Sequence, residues 1–503
     1  MLAVTLREAA RRFADARAYV TEAGWALSFT DLDRVSDEVA VGLADRGLGR
    51  GAVLALVLPP GPEYLVAYLA AAKLGAITAG VNDRLTAAER TAVLDRADPH
   101  LVLAGPGLAP SGFEALELDP APDRAELHAP LRVAAAAPPP LADDPDRPVA
   151  IVFTSGTTGI PKGALYGNRQ LQFITDNDVG DAWGGGGRSF TGTSFAHLGF
   201  MTKLPGNLRR GGTSFIMRRW SARESLALLA EHQMTTVAGV PAQVALMLRQ
   251  PDFDDYDLTS VRFIIAGGGP ITPGLAEEAR DRFHAALATR YSCTEAGIGL
   301  GTAFDDPEED AVVSVGRPHP AVELRLLDDG DRPVAAGEVG AVCLRSPAVM
   351  SRYWGDPDAT RAAFTVDGFV RTGDLGWLDE RARLRLVGRT KEMYVRGGYN
   401  VYPVEVEAVL STHPGVAAVA LIPRLDPVMG EVGVAVVVPQ DPAHPPTLEA
   451  LRSYGADQLA RYKLPEDLSL LDALPLTAMD KVDRRSLART VAAPDDSATP
   501  GPR

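Results

Sequence analysis

The chain has 503 residues, more than one hydrophobic core usually serves, so two or more domains are expected. Hydrophobic residues make up 46% and charged residues 23%, the balance of an ordinary soluble protein. A net charge of -15 disfavours nucleic acid or an anionic membrane as a general partner, so any anionic ligand has to be held by a local site.

The first twenty residues, MLAVTLREAARRFADARAYV, contain arginines that could suggest a transit peptide. Glu8 and Asp15 interrupt the basic face and no cleavage site follows, so the stretch reads as an amphipathic first helix. Leu32, Val35, Val39 and Leu43 recur at three- and four-residue steps and predict a second helix, followed by AVLALVLPP, a short buried-strand run. EYLVAYLAAAKLG predicts a helix stopped by Gly75, and Thr86 with Glu89 makes a capping-box pattern ahead of another. These βα alternations predict a largely parallel sheet covered by helices. AAAAPPPLADDPDRP, residues 134–148, reads as a surface connection.

FTSGTTGIPKG, residues 153–163, follows the end of a buried strand with four hydroxyl side chains, Thr154, Ser155, Thr157 and Thr158. Gly156 and Gly159 let backbone amides approach an anion, and Lys162 adds a positive charge. This is phosphate-binding equipment, but the spacing is not the Walker pattern: two residues separate the glycines and Lys162 is followed by glycine. GGGG at 184–187 lacks the flanks of a dinucleotide fingerprint and reads as a loop. The pairs Arg209-Arg210 and Arg218-Arg219 read as solvated charges, with contact to the phosphates of a ligand as the alternative. Cys293 and Cys343 have neither disulfide-framework nor zinc spacing, which fits a reducing cytoplasm. From Val312 to Leu386 short strands with Asp-Gly and Ala-Gly breaks predict an antiparallel or barrel-like element. After about residue 390, helix–strand alternation predicts a separate small α+β domain, and AAPDDSATPGPR predicts a disordered end.

The 153–163 loop resembles the signature of the adenylate-forming superfamily, which contains acyl-CoA synthetases, peptide-synthetase adenylation domains and beetle luciferases. The resemblance continues in order through AGGGP (266–270), YSCTE (291–295), GRP (316–318), TGD (372–374), GRTKEMYVRGGYNVYPVEVE (388–407) and PLTAMDKVDRRSL (475–487). AAKLGAITAGVNDRLT (71–86) extends it to nearly the whole chain.

The resemblance implies an α/β fold: a large N-terminal domain (1–390) of stacked α/β sheets with a β-barrel-like part, a small mobile C-terminal α+β domain (391–490), and a tail (491–503). It implies an ATP-dependent carboxylic acid:CoA ligase that forms an acyl-adenylate, releases pyrophosphate and passes the acyl group to CoA. The loop residues Thr154 to Gly159 with Lys162 would hold phosphates. Gly268, Gly269, Pro270 and Tyr291 would line the adenine slot, Ser292 would bind ATP, and Asp374 and Arg389 would hold the ribose. Glu295 would bind Mg²⁺ as an oxygen ligand, with Thr294 near the α-phosphate. Lys481 would bridge carboxylate and phosphate oxygens; the residue before it, glycine in many relatives, is here Asp480, whose carboxylate could pair with it. Lys391 would be the hinge about which the small domain turns, and Gly397, Gly398 and Tyr399 would then line a pantetheine tunnel. His197, Phe200, Val240, Gly267 and Ile298 would wall the acyl pocket, and His197 would also act in catalysis by gating the thiol. No aspartate stands between Thr193 and Gly199 to pair with a substrate ammonium, which disfavours amino acids.

The alternatives are an enzyme that stops at the adenylate or loads a carrier protein, a luciferase-like oxidase, and a silent nucleotide-binding relative. The retention of Lys481, Glu295, Asp374 and Arg389 together argues against the last. A homodimer is common in the superfamily.

Overall fold

The computed structural model describes residues 1–154, 161–269, 271–390, 392–397, 399–456, 458–478 and 480–492. Ser155, Gly156, Thr157, Thr158, Gly159, Pro270, Lys391 and Gly398 lie outside the described residues, as does the segment 493–503.

The early helices form where the apolar spacing predicts them. Phe29–Ala44 starts with a capping box between Ser28 and Asp31 and buries Leu32, Val35, Val39 and Leu43 completely. Pro62–Leu74 begins with proline in its first turn and ends at Gly75 with φ 69°, a left-handed cap that glycine adopts without strain. Thr86 and Glu89 close the predicted capping box on Ala87–Ala97.

These helices cover a seven-stranded sheet in which Ala115–Glu117, Leu101–Ala104, Val53–Val57, Ile77–Gly80 and Pro148–Phe153 run parallel. The next strand, Gly163–Gly167, returns antiparallel to Pro148–Phe153, so the 155–160 segment joins two strands of one hairpin. Residues 134–148 carry no helix and run over the surface to that hairpin. A second sheet has three parallel strands, Thr236–Gly239, Phe263–Gly267 and Ala286–Tyr291, extended antiparallel by Leu300–Gly301 and Arg317–Pro318. Its outer face packs on the helices Ala222–Glu231, Pro241–Leu248 and Pro273–Phe283 around Leu226, Val244 and Ala279.

The short strands expected between Val312 and Leu386 form an antiparallel four-stranded sheet ordered Glu323–Leu327, Gly340–Arg345, Val370–Leu378, Leu384–Arg389. The small C-terminal domain is built on the long hairpin Val416–Asp426 and Gly430–Pro439, with its own core around Tyr394, Val406, Leu421 and Val437. Its last helix, Arg484–Ala492, runs two residues past the expected domain end at 490. Among the described residues no helix is long and apolar enough to cross a membrane.

Candidate active site

Parallel strands present their C-terminal ends on one edge of a sheet, and the loops that leave that edge are where an α/β protein builds its site. Here Ile77–Gly80 leads to Asn82, Pro148–Phe153 to Thr154, Phe263–Gly267 to Gly268 and Gly269, and Ala286–Tyr291 to Ser292, Thr294 and Glu295. Every early motif therefore leaves the same kind of strand end.

The phosphate-loop hairpin is pinned at its base, where the Thr154 amide donates to the Lys162 carbonyl at 2.9 Å. Lys162 Nζ lies 5.2 Å from the centre of the Tyr353 ring. Tyr353 in turn donates its hydroxyl to Glu295 Oε1 at 2.7 Å. Burial first and Glu295 second push the Tyr353 phenol well up from its ordinary pKa, so it stays a donor. The Tyr166 hydroxyl donates to the Thr294 carbonyl at 2.6 Å, and the Met350 amide donates to the Glu295 carbonyl at 2.9 Å. Thr294 and Glu295 are thus fixed to the hairpin that carries Lys162. Among the described residues no three His, Cys, Asp or Glu side chains gather around a metal position. Glu295 as a lone carboxylate fits Mg²⁺, which keeps several waters and takes phosphate oxygens from its substrate.

Asp374 and Arg389 are directly paired across neighbouring strands, and Arg389 Nε donates to Asp374 Oδ1 at 2.8 Å. The Tyr291 hydroxyl donates to the other oxygen, Oδ2, at 2.6 Å. A carboxylate has about four acceptor sites, so Asp374 keeps capacity for hydroxyl groups of a ligand. Burial, then the Asp374 charge, raises the Tyr291 phenol far above its usual range. Cys293, between these groups, is a free thiol whose pKa burial also raises well above normal, with Glu295 and Asp374 acting in the same sense. It stays protonated at neutral pH and is no nucleophile.

His197 is placed by close backbone approach. A Cβ on Gly80 would stand 2.8 Å from Ala196 Cα and from Met201 Sδ, so only glycine lets the 195–201 segment lie against the strand end. The Tyr68 hydroxyl holds the same segment through the Met201 carbonyl at 2.7 Å. The Arg84 amide donates to Asn82 Oδ1 at 2.9 Å, which turns the Asn82 Nδ2 donor toward His197 Nε2, also at 2.9 Å. Nε2 therefore accepts, and the ring is neutral with its proton on Nδ1. Burial, then the charge of Lys481, lowers the His197 pKa to about 4, in agreement with that tautomer.

Of the other residues expected to wall an acyl pocket, Val240 Cγ1 lies 3.4 Å from where a Cβ on Gly268 would stand, and Gly267 backs onto Arg290. A Cβ on Gly269 would stand 3.7 Å from Pro241 Cδ. Ile298 packs on the edge of the main core. The Phe200 ring is stacked on Phe195 with centroids 3.7 Å apart and meets the Tyr64 edge, so it belongs to an aromatic cluster beneath His197.

Lys481 comes from the small domain, on a turn whose Ala478 carbonyl accepts from Arg84 and Asn82 of the large domain, and its charge acts on His197. The side chain keeps solvent contact, yet partial dehydration and then the Arg389 guanidinium lower its pKa below that of ordinary lysine. Among the described residues it makes no ion pair. The adjacent Asp480 does not pair with it: Asp480 Oδ1 takes Arg84 Nη1 at 3.0 Å and Oδ2 takes Gln243 Nε2 at 3.3 Å. Gly397 has φ 55° and donates its amide to the Met429 carbonyl, while Tyr399 is exposed and stacks on Tyr462 at 4.6 Å. Gly397 and Tyr399, expected to line a pantetheine tunnel, are thus exposed to solvent. Of the arginine pairs, Arg209 and Arg210 are held by Asp176 and Asp178 of the helix Asn168–Val179, and Arg218 by Glu63.

The AMP-binding enzyme family matches residues 6–354, and its C-terminal domain matches residues 405–481. The chain belongs to the AMP-binding enzyme family. A fatty acid–[acyl-carrier-protein] ligase of Streptomyces coeruleorubidus, ScoC, is 32% identical over 477 residues, covering 92% of this chain and 91% of that protein. An indoleacetate–CoA ligase of Aromatoleum aromaticum is 31% identical over 481 residues, 93% of each. Among solved structures, the amide bond synthetase McbA of Marinactinospora thermotolerans superposes with a TM-score of 0.86 at 26% identity, over 98% of this chain and 100% of that one. In this AMP-binding enzyme the residues missed by pattern reading are Tyr353, Tyr166, Gln243 and Asn82. The first three carry no local signal, and Asn82 sits in the quoted stretch 71–86 without standing out from it.

Proposed function

We propose that the protein is an ATP-dependent carboxylic acid:CoA ligase. The observation that carries this reading is the place of Lys481: an ammonium without an ion-pair partner among the described residues, on a turn whose Ala478 and Asp480 are held to the large domain by Arg84, Asn82 and Gln243, with Asn82 also bonded to His197. Joining a carboxylate to the α-phosphate of ATP brings two anions together, so catalysis consists of positioning and charge stabilisation. Lys481 sits across the incoming carboxylate and the α-phosphate as pyrophosphate leaves. Asp374 with Tyr291 and Arg389 holds the ribose, and Lys162 meets the departing phosphates. Glu295, oriented by Tyr353, would hold Mg²⁺, which would supply charge neutralisation at the triphosphate. Neutral His197 borders the acyl group without adding positive charge.

In the second half-reaction a thiol replaces AMP on the acyl carbon. The small domain turns about Lys391, withdraws Lys481 and brings the segment Arg396 to Asn400 to the cleft. The exposed Tyr399 in the present pose is consistent with such a turn. A carrier-protein thiol is the second reading, favoured by the similarity to ScoC.

The test is to incubate the protein with Mg-ATP and a panel of short, long, aromatic and polycyclic acids, then offer CoA or a phosphopantetheinylated carrier protein. Acyl-CoA formed with one acid class supports the ligase. Acyl-carrier product without acyl-CoA overturns CoA as acceptor, and no pyrophosphate release with any acid overturns adenylation.

A further inference from the structure

Asp480 stands in the left-handed region at φ 57°, a conformation that favours glycine and that aspartate adopts at a cost. A side chain retained in such a place has something to hold. Its two carboxylate oxygens are both taken by groups of the large domain, Arg84 Nη1 at 3.0 Å and Gln243 Nε2 at 3.3 Å. Gln243 is itself fixed, because the Val240 amide donates to its Oε1 at 3.1 Å and its Nε2 also meets the Gly192 carbonyl. Two residues earlier in the same turn, the Ala478 carbonyl accepts from Arg84 Nη1 at 3.2 Å and from Asn82 Nδ2 at 3.3 Å. The turn is closed on its own side by Thr477 N–H to Lys481 O at 2.7 Å and Asp480 N–H to Thr477 O at 2.9 Å. With Ala478 and Asp480 gripped from three directions, the next residue, Lys481, has little freedom.

We propose that Asp480 and Arg84, with Gln243 and Asn82, form a clasp that positions Lys481 for adenylation and must open before the acyl group is transferred. The proposal rests on the ligase reading for its kinetic arm. Asp480 and Arg84 are positioning residues, acting only through the lysine. The Asp480 carboxylate is largely covered while the Arg84 side chain is 39% exposed, so the pair is screened on one side and its effect is modest. Asn82 holds both Ala478 and His197, so opening the clasp also frees one of the two contacts made by the amide that orients the histidine.

The variants are Asp480→Asn, Asp480→Gly, Arg84→Ala and the double Asp480→Asn/Arg84→Ala. Glycine suits φ 57° and asparagine tolerates it, so both keep the turn. The expected result is a kcat for acid-dependent pyrophosphate release about fivefold lower, with the KM for ATP unchanged. The double variant is no slower than either single, and thioester formation from preformed acyl-adenylate is undiminished. Hydrogen exchange of residues 475–483, measured on the full chain with Mg-ATP, is faster in each variant than in wild type. This readout needs no turnover, so it decides the clasp even if no acid is found and the ligase reading fails. Unchanged exchange in Asp480→Asn and Arg84→Ala overturns the proposal. A loss of ATP binding together with both half-reactions also overturns it, because that marks a structural role.

Discussion

The Tyr353 hydroxyl donates to Glu295 Oε1 at 2.7 Å while its ring lies 5.2 Å from Lys162 Nζ. One side chain therefore orients the proposed metal carboxylate and supports the proposed phosphate lysine. Tyr353→Phe keeps the ring and removes the donor, leaving Glu295 free to turn. The half-saturating Mg²⁺ concentration for pyrophosphate release is predicted to rise about tenfold, as for other partners of metal-binding groups. A titration of Mg²⁺ at saturating ATP checks this.

Asp374 accepts from both Tyr291 and Arg389. Asp374→Asn preserves shape but replaces the charge, and the KM for ATP is predicted to rise about tenfold while the KM for the acid stays constant. Tyr291→Phe leaves one Asp374 oxygen without its buried donor and is predicted to cost about 1–3 kcal/mol of stability, read from denaturant unfolding.

Gly80 is a steric requirement of the His197 segment. The Cβ of Gly80→Ala would enter within 2.8 Å of the Ala196 backbone, which cannot move as a side-chain tip can. A loss of about 2 kcal/mol is predicted, with altered preference among acids because the His197 segment is displaced. Unfolding curves and a rate comparison over the acid panel measure both.

His197 and His128 both fall from the model-peptide value of 6.5 to about 4, chiefly through burial. Between those values the unfolded chain binds protons that the folded chain does not. Their contribution to stability is present above pH 6.5 and is lost as pH falls toward 4. For the fully enclosed His128, whose Nε2 donates to the Glu63 carbonyl at 2.8 Å, a shift of this size is worth on the order of 3 kcal/mol. The fall in Tm between neutral pH and pH 4.5 is predicted to be smaller in His128→Gln than in wild type. An equal fall would show that this ring does not contribute. His197 is neutral at pH 7, so it adds no acid limb near 6.5 to the rate profile.

The helices and strands of the first hundred residues were legible because their signals are local. The spacing of Leu32, Val35, Val39 and Leu43 and the Thr86–Glu89 box each lie within a few turns of chain. Asp374 and Arg389 are fifteen residues apart, and their pairing follows from one hairpin. What the chain did not disclose is long-range. Tyr353 meets Glu295 from 58 residues away, and Arg84 meets Asp480 across 396 residues. Neither pairing leaves a mark in periodicity or composition. Asp480 shows the same limit: its departure from glycine is visible in sequence, but that its carboxylate turns to Arg84 and Gln243, away from Lys481, depends on how the two domains meet.

The most direct measurement is acid-dependent pyrophosphate release from Mg-ATP by wild type and Lys481→Ala, with ATP binding followed separately. Release by wild type that falls about 10²- to 10³-fold in the variant, with ATP affinity retained, is the predicted result. A variant that releases pyrophosphate as fast as wild type would contradict the place given to Lys481 and the adenylation chemistry built on it.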